Sequence, residues 1–470
     1  MKKINYYKDI DKFNDNLAII DSENQTYSYL DLSQFAKNIS INLIRRDTVF
    51  LIAENTVEFI SAYIGFLQNE NVIFLIDKNI NEESLINLIN EYKPDYIFSS
   101  PRTSLLGLDI KYEFLNYKLY TGSIKNDLKI HNQLACLLTT SGTTGSKKLV
   151  RLSYMNLISN TDIISKYLNI NSNDKVMTTM SPSYSYGLSI INSHLNVGAT
   201  IYLNEFSILQ RDFWDKFKII KPTNINGVPY FYDMIKKFSF LDIDTSFLNF
   251  ITQAGGSMSS DTMNYMINWS EKKQVPLYIM YGQTEASPRM SYLEPTYLSN
   301  KKGSVGKAIQ DGDFILYDKN NNFEITENNK EGELIYKGPN VMMGYAKKNS
   351  DLVRGFDNNN TLKTGDLAIK DLDGFYYITG RIKRIIKILG YRINLDEIEG
   401  AINAENIECA CVGKDNNLII YITDAMLIDD VKKITVKKLK INKKNFLIKV
   451  IKTLPRNKNN KIDYKDLEIK

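Results

Sequence analysis

One short stretch of the chain gathers the residue types that hold phosphate groups. Residues 139–149 read TTSGTTGSKKL, with six hydroxyl side chains, two glycines and two lysines. Glycines let backbone N–H groups turn toward an anion, hydroxyl groups add donors, and a lysine supplies the opposite charge. The stretch is not a Walker A loop, because Gly145 is followed by Ser146 instead of lysine. Its composition favours a phosphate-binding loop, with a solvated polar turn as the alternative.

The chain offers little material for histidine or cysteine chemistry. Its two histidines, His131 and His194, are separated in sequence and have no acidic residue nearby in the chain. Its three cysteines, Cys136, Cys409 and Cys411, include no pair at metal-ligand spacing. We therefore expect neither Ser–His nor His–metal catalysis, and neither a disulfide framework nor a zinc site.

Charge and hydropathy limit the partners and the location. The chain of 470 residues has 59 basic and 54 acidic side chains, which give a net charge of +5. This weakly basic balance gives no reason to expect nucleic acid as a partner. The start, MKKINYYKDIDKF, has no apolar run behind its lysines, and no later stretch approaches the ~20 apolar residues of a membrane span. We expect a soluble cytoplasmic protein.

The elements that position the loop alternate between helices and strands. Helical spacing at 29–44, 57–68 and 83–92 is followed each time by a short apolar run, and such runs continue to PLYIMYG at 276–282. Repeated units of this kind imply a parallel sheet flanked by helices. Residues 313–382 instead show short alternating strands split by Asn- and Gly-containing turns, which predicts an antiparallel β unit. A small mixed segment begins near residue 384.

These patterns predict an α/β protein with two domains. The first, residues 1–382, contains parallel helix-flanked sheets and a β-rich subdomain. The second, residues 383–470, is a small α+β domain. We place the boundary at Lys383.

The order of the motifs resembles that of the ANL superfamily of adenylate-forming enzymes, which includes acyl- and aryl-CoA synthetases, peptide-synthetase adenylation domains and luciferases. The resemblance runs through nearly the whole chain and rests on seven separated motifs in the expected order. They are the phosphate loop Thr140-Ser141-Gly142-Thr143-Thr144-Gly145 with Lys148, then Asn226-Gly227-Val228-Pro229, Ala254-Gly255-Gly256-Ser257, Tyr281-Gly282-Gln283-Thr284-Glu285, GELIYKGPNVMMGY at 332–345, Thr364-Gly365-Asp366 with Gly380-Arg381, and the C-terminal GYRINLDEIE and PRNKNNKID.

The resemblance implies ATP and Mg²⁺ as cofactors. Tyr281 would offer an aromatic face to adenine, and Asp366 would accept both ribose hydroxyls with Arg381 beside it. Thr284 would donate to the α-phosphate, and Glu285 would hold Mg²⁺, which prefers oxygen ligands. The remaining nucleotide-binding positions implied by the motifs are the phosphate loop, Gly255, Gly256, Ser257, Gly282 and Gln283.

The resemblance also assigns roles in the C-terminal segment. Lys461 would enter the site and balance the charge that builds as a carboxylate attacks the α-phosphate, with Lys148 as a mobile counter-charge. Lys383 occupies the hinge position, which implies a mobile C-terminal domain that swings between two half-reactions. Gly390 lies where the family opens a tunnel for a thiol. Asn460 departs from the pattern, because a glycine usually precedes the catalytic lysine.

The acid and its acceptor are less clear from the sequence. SPSYSYGLS at 181–189, which we name the acid-binding stretch, has no acidic residue where amino-acid-activating members usually place one, so an amino acid substrate is disfavoured. The substrate-binding residues implied are Tyr184, Tyr186, Gly187 and Gly227; the tyrosines have packing as an equal alternative.

The resemblance implies ATP-dependent activation of a small carboxylic acid, followed by transfer to a thiol. That thiol would belong to coenzyme A or to the phosphopantetheine of a separate acyl carrier protein. Two alternatives stay open: an amino-acid-adenylating enzyme that loads a carrier, and a catalytically silent nucleotide-binding homologue.

Overall fold

The computed structural model describes residues 5–122, 128–139, 148–238, 243–318, 323–388, 391–414, 417–439, 446–457 and 461–468. The predicted phosphate-loop residues 140–145 and the predicted tunnel residue Gly390 lie outside the described residues.

The described helices lie mostly in the first three-fifths of the chain. They are α1 (Tyr29–Ser40), α2 (Val57–Gln68), α3 (Glu82–Tyr92), α4 (Tyr154–Tyr167), α5 (Ser185–Leu195), α6 (Arg211–Ile220), α7 (Pro229–Lys237), α8 (Ser260–Lys273), α9 (Leu395–Asn403), α10 (Ile428–Leu439) and α11 (Tyr464–Glu468).

The described strands run through the whole chain. They are β1 (Leu17–Ile20), β2 (Thr26–Ser28), β3 (Thr48–Ala53), β4 (Val72–Asp77), β5 (Tyr96–Ser99), β6 (Ile110–Phe114), β7 (Tyr117–Thr121), β8 (Leu134–Thr139), β9 (Leu149–Ser153), β10 (Lys175–Met177), β11 (Thr200–Tyr202), β12 (Asn224–Gly227), β13 (Phe250–Gln253), β14 (Leu277–Gly282), β15 (Arg289–Leu293), β16 (Lys307–Ala308), β17 (Asp313–Asp318), β18 (Phe323–Ile325), β19 (Gly332–Lys337), β20 (Gly344–Ala346), β21 (Thr361–Lys370), β22 (Tyr376–Arg381), β23 (Ile385–Ile388), β24 (Tyr391–Asn394), β25 (Cys409–Lys414), β26 (Asn417–Ile422) and β27 (Phe446–Val450).

Two large sheets have parallel centres, which confirms the α/β prediction. One has the order β16-β15-β14-β13-β12-β10-β11-β1-β2, and its strands from β14 through β12 to β1 are parallel. The other has the order β20-β9-β8-β4-β3-β5-β7-β6, with β8, β4, β3 and β5 parallel. Apolar side chains of both sheets and of the helices between them share one large core.

The predicted antiparallel unit is confirmed as a separate sheet. It has the order β18-β17-β19-β21-β22, and every neighbouring pair is antiparallel. Beyond it, β23 pairs with β24, and β25, β26 and β27 form a small sheet that packs with α9 in its own apolar cluster. The predicted hinge residue Lys383 lies in a 3-10 helix, Ile382–Arg384, between these units. A domain boundary there stays a prediction.

Local side-chain hydrogen bonds fix where several of the helices begin. Ser28 and Asp31 form a reciprocal capping box at the start of α1, and Ser153 and Asn156 form another at the start of α4. The predicted helix at 29–44 was too long, because α1 ends at Ser40. Ile41 and Ile44, which follow the helix, are apolar but exposed, so they do not belong to a buried helix face.

The described part of the chain was searched for helices that could cross a membrane. None of its helices combines the length and the apolar character that a bilayer crossing needs.

Candidate active site

The candidate site lies at the carboxyl ends of three neighbouring parallel strands. Gly227 is the last residue of β12, Gly255 follows β13, and Tyr281 and Gly282 end β14. Ligands of open α/β sheets bind at this edge, because the loops that follow the strands meet there. The fold therefore brings together motifs that lie far apart in the sequence.

A buried carboxylate from the antiparallel sheet faces this edge. The side chain of Asp366 is 3% exposed and accepts hydrogen bonds on both oxygens. The Tyr281 hydroxyl donates to Oδ2, and Arg381 Nε donates to Oδ1 at 2.9 Å. The charge of Asp366 is the main cause that raises the pKa of Arg381. Each carboxylate oxygen keeps a further acceptor position, so this group suits a ligand with two hydroxyls.

A turn before Asp366 fixes its direction. Thr364 accepts from the backbone N–H of Asp366 at 3.1 Å and donates through Oγ1 to the carbonyl of Leu334 at 2.7 Å. Gln283 Nε2 donates to the carbonyl of Thr364 at 3.3 Å. The side chain of Gln283 therefore joins the motif after β14 to the turn that carries the carboxylate.

Thr284 connects its own nucleotide motif to the acid-binding stretch. It is 6% exposed, and its Oγ1 is 3.1 Å from Ser185 Oγ, at the first residue of α5. The hydroxyl pair joins the edge of the first sheet to the start of the helix. Sequence reasoning missed Ser185, although it lies within the stretch that was singled out.

Glu285, Tyr345 and Lys148 form a second polar group. The Tyr345 hydroxyl donates to Glu285 Oε1 at 2.9 Å, and Lys148 Nζ lies 3.3 Å from the centre of the Tyr345 ring. Burial lowers the pKa of Lys148, the charge of Glu285 opposes this shift, and the charge of Lys383 adds to it. Lys383 itself is exposed. Tyr345 was missed by sequence reasoning, although it ends the GELIYKGPNVMMGY motif.

The Glu285 carboxylate suits a magnesium ion that keeps most of its water. Among the described residues there is no group of three or more His, Cys, Asp or Glu side chains that could hold a metal. Mg²⁺ is usually bound through one or two carboxylates plus the phosphates of its substrate. Glu285 supplies one such carboxylate, and a bound ion would neutralise phosphate charge beside it.

Lys461 reaches the same site from the C-terminal segment. Its Nζ lies 5.9 Å from the centre of the Tyr184 ring, and its backbone closes a turn with Asn457, whose N–H donates to the Lys461 carbonyl at 2.8 Å. Burial lowers the pKa of Lys461 to about 8; the charge of Arg381 adds to this shift, and Asp366 opposes it. The predicted catalytic lysine and the predicted sugar-binding pair are therefore electrostatic neighbours.

Tyr184 packs on a glycine that no other residue can easily replace. Gly255 has a φ of +94°, and a Cβ built on it would lie 2.8 Å from the Tyr184 hydroxyl oxygen and 3.2 Å from Val228 Cγ1. Both the left-handed backbone and the close approach favour glycine. Gly256 and Ser257, the next two residues, are exposed at the strand end.

Two of the other predicted acid-binding residues, Tyr186 and Gly187, are packed in the core. Tyr186 is 2% exposed and its hydroxyl is 2.8 Å from Thr252 Oγ1 on β13, so the packing alternative describes its position. A Cβ on Gly187 would lie 2.3 Å from the Ser181 carbonyl oxygen, and Gly187 is therefore a close-packing position of α5. Gly227 instead borders a half-open cavity of about 240 Å³ with both polar and apolar lining, together with Val228, Phe231 and others.

Most of the chain matches a known protein family. Residues 7–346 match the family described as AMP-binding enzyme. A D-alanine–D-alanyl carrier protein ligase from Lactiplantibacillus plantarum is 25% identical over 82% of this chain and 79% of its own length.

Two solved structures of an o-succinylbenzoate coenzyme A synthetase from Bacillus subtilis share the fold. The complex with the acyl-adenylate intermediate has a TM-score of 0.79 at 20% identity and covers 99% of this chain and 98% of the other. The complex with ATP and magnesium ion has a TM-score of 0.78 at 21% identity and covers 99% of both chains. The family match spans most of the chain, so the resemblance to the ANL superfamily is confirmed, and the protein belongs to the AMP-binding enzyme family.

Proposed function

We propose that the protein is an AMP-forming acid–thiol ligase that uses ATP and Mg²⁺. In the first half-reaction a carboxylate oxygen of the acid bonds to the α-phosphorus of ATP, and the bond to the bridging oxygen of the β-phosphate breaks. Pyrophosphate leaves and an acyl-adenylate remains. In the second half-reaction a thiol sulfur bonds to the acyl carbon, AMP leaves, and the thiol proton is released to solvent.

One arrangement carries this proposal: Lys461 lies beside Tyr184 and within electrostatic reach of Asp366 and Arg381. The pKa of Lys461 is affected by both charged groups of the predicted sugar-binding pair, and its Nζ is 5.9 Å from the Tyr184 ring centre. A cation at this place stabilises the negative charge that develops at the α-phosphate. No side chain has to act as a nucleophile, because the work is positioning and electrostatic stabilisation.

Each site residue has a proposed task. Thr284 donates to the α-phosphate, and Asp366, held by Tyr281 and Arg381, accepts the ribose hydroxyls. Glu285 holds the magnesium ion and Lys148 offsets the charge of the outgoing pyrophosphate. The support for Lys148 is its contact with Tyr345, which is hydrogen-bonded to Glu285.

The second half-reaction requires Lys461 to withdraw so that the thiol can enter. We infer that the C-terminal segment rotates about Lys383, which lies between the antiparallel sheet and the small C-terminal sheets. The acceptor is coenzyme A or the phosphopantetheine of a separate acyl carrier protein. The similarity to a carrier protein ligase supports the second of these.

The proposal is tested by carboxylate-dependent exchange of labelled pyrophosphate into ATP. The purified full chain is assayed with a panel of fatty, aromatic, dicarboxylic and amino acids. Exchange with at least one of these acids is expected, and it should require Mg²⁺. Absence of exchange with every acid would instead support a silent nucleotide-binding homologue.

The same panel separates the enzymatic alternatives. Exchange confined to amino acids would support an amino-acid-adenylating enzyme that loads a carrier. Adding coenzyme A or a phosphopantetheinylated carrier protein to the reaction then identifies the acceptor by which thioester forms. We also propose that the enzyme works in the cytoplasm, where ATP and these thiols are available, and cell fractionation tests the location.

A further inference from the structure

Arg289 is a buried cation whose position is fixed by its own backbone. It is the first residue of β15 and is 3% exposed. The carbonyl of Arg289 accepts from Asn340 Nδ2 at 2.7 Å and from Asn160 Nδ2 at 3.0 Å, and its N–H donates to Asn160 Oδ1 at 3.3 Å. The start of the side chain therefore has little freedom to move toward solvent.

The partners of the Arg289 guanidinium among the described residues are neutral. Its carbon lies 4.1 Å from the centre of the Tyr186 ring, and its Nε donates to Met280 Sδ at 3.3 Å. Within the described ranges no Asp or Glu oxygen lies within the 4.0 Å that defines an ion pair with it. The Tyr167 side chain also lies close enough to hydrogen-bond with Arg289. A hydroxyl, an aromatic face and a thioether compensate a buried charge less well than a carboxylate.

Two other arginines that lie deep in the protein have carboxylate partners. Arg151 is fully buried and pairs with Asp357 at 2.8 Å. Arg384, also largely buried, pairs with Glu399 at 2.6 Å and contacts Asp396. A charge that is removed from water without a counter-charge destabilises the fold, so an unpaired buried arginine needs another reason to be present.

The position of Arg289 relative to the candidate site suggests why it is buried without a carboxylate partner. The Tyr186 ring that it contacts is 6.3 Å from the Tyr184 ring, and the Tyr184 ring centre is 5.9 Å from Lys461 Nζ. Ser185, between the two tyrosines, contacts Thr284. Burial raises the pKa of both Tyr184 and Tyr186, and the charge of Arg289 opposes the shift in each. Arg289 is thus connected to Lys461 through the neighbouring rings of Tyr186 and Tyr184.

We propose that Arg289 binds a second anionic group of the substrate, so that the enzyme activates a dicarboxylic acid. One carboxylate reacts beside Lys461 and Thr284, and the other pairs with the guanidinium, whose planar fork matches a carboxylate in two hydrogen bonds. This inference rests on the proposed function, since it names the substrate class of the same site. The buried arginine then receives its counter-charge only when the correct acid is bound.

The test compares α,ω-dicarboxylates with monocarboxylates of equal chain length in the pyrophosphate exchange assay. The wild-type enzyme is expected to show the higher kcat/KM with a dicarboxylate, by about 100-fold or more, because a site built for a polar group rejects an analogue that leaves it unpaired. Exchange only with monocarboxylates would contradict the inference and would favour the cavity at Gly227 as the place of the acid chain. Absence of exchange with any acid would contradict the proposed function itself.

Variants separate recognition from a structural role. Arg289→Met should remove the preference by lowering kcat/KM for the dicarboxylate while the value for the monocarboxylate stays within about threefold, and Arg289→Lys should retain part of it. Equal losses with both acids would overturn the assignment. Arg211→Met on α6, whose side chain is 91% exposed, is the matched control and should change neither value. The wild-type preference decides the matter even if Arg289→Met does not fold.

Discussion

Lys461 Nζ and the Tyr184 ring centre are 5.9 Å apart, although one residue lies near the C-terminus and the other precedes α5. The contact joins the small C-terminal segment to the acid-binding stretch. In the proposed reaction Lys461 withdraws before the thiol approaches, so we assign this arrangement to adenylate formation.

Replacement of Lys461 should separate the two half-reactions. Lys461→Ala is expected to reduce pyrophosphate exchange by about 100-fold or more, because the developing charge loses its cation. Thioester formation from a supplied acyl-adenylate should stay within about threefold of wild type. Lys452→Ala, at an exposed lysine of the same segment, is the control. Equal loss of both steps would refute the assignment.

The rate of adenylate formation should decrease at alkaline pH. The pKa of Lys461 is lowered to about 8, so the charged form is present below pH 8 and is lost as the pH rises through that value. The kcat/KM of exchange, which reports the free enzyme, should therefore decline above about pH 8. Lys461→Arg should abolish the decline, because guanidinium keeps its charge. A wild-type profile that stays flat to pH 10 would contradict this prediction.

Glu285 should control the magnesium requirement. Glu285→Gln is expected to raise the Mg²⁺ concentration for half-maximal exchange by roughly tenfold or more, because a neutral amide is a weaker ligand for a hard cation. The amide can still accept from Tyr345, so the local packing is kept. Glu294→Gln, at an exposed position, provides the comparison. An unchanged magnesium dependence would remove Glu285 from the metal site.

The hydroxyl of Tyr281 should contribute to nucleotide affinity. Tyr281→Phe removes one of the two side-chain donors to the buried Asp366, and a hydrogen bond to a charged group contributes about 1.5–3 kcal/mol. The Kd for ATP is expected to rise about tenfold or more, which equilibrium binding measures directly. Tyr278→Phe, on the same strand, should leave it unchanged. If both variants bind ATP like the wild type, Asp366 does not depend on this bond.

Two glycine substitutions separate backbone strain from contact with Tyr184. Gly255 and Gly303 both have positive φ, +94° and +82°, but only Gly255 has atoms near its missing Cβ. Alanine at either position should lower the Tm, since the left-handed backbone costs about 1–2 kcal/mol for other residues. Only Gly255→Ala should also raise the KM for the acid, because it displaces Tyr184. A similar rise in Gly303→Ala would show that the effect is not local.

Much of the fold follows from patterns that are local in the sequence. The helix at 57–68 has the predicted bounds, since the capping residue Thr56 precedes a mostly apolar segment that is buried along its length. The alternating strand pattern between residues 313 and 382 correctly predicted the antiparallel sheet. The excess length predicted for α1 arose because Ile41 and Ile44 are apolar but exposed, and periodicity alone does not distinguish such residues from a buried face.

The candidate site could be predicted less completely, because its contacts join distant segments. The position of Tyr186 within its motif does not reveal that its hydroxyl bonds to Thr252 on another strand. The link between Tyr345 and Glu285 depends on how β20 pairs with β9, which places the motif beside Lys148. Nothing in the sequence singled out Arg289 as a site residue, because an arginine in a strand usually lies at the protein surface.

The lowered pKa of Lys461 has a consequence for the energetics of ligand binding. At pH 8 the free enzyme population is divided about equally between protonated and neutral Lys461. The phosphates of ATP would favour the charged form, so nucleotide binding takes up a proton from the buffer. The heat of binding then depends on the ionisation enthalpy of that buffer, and the affinity of the enzyme for ATP becomes linked to the proton concentration around it.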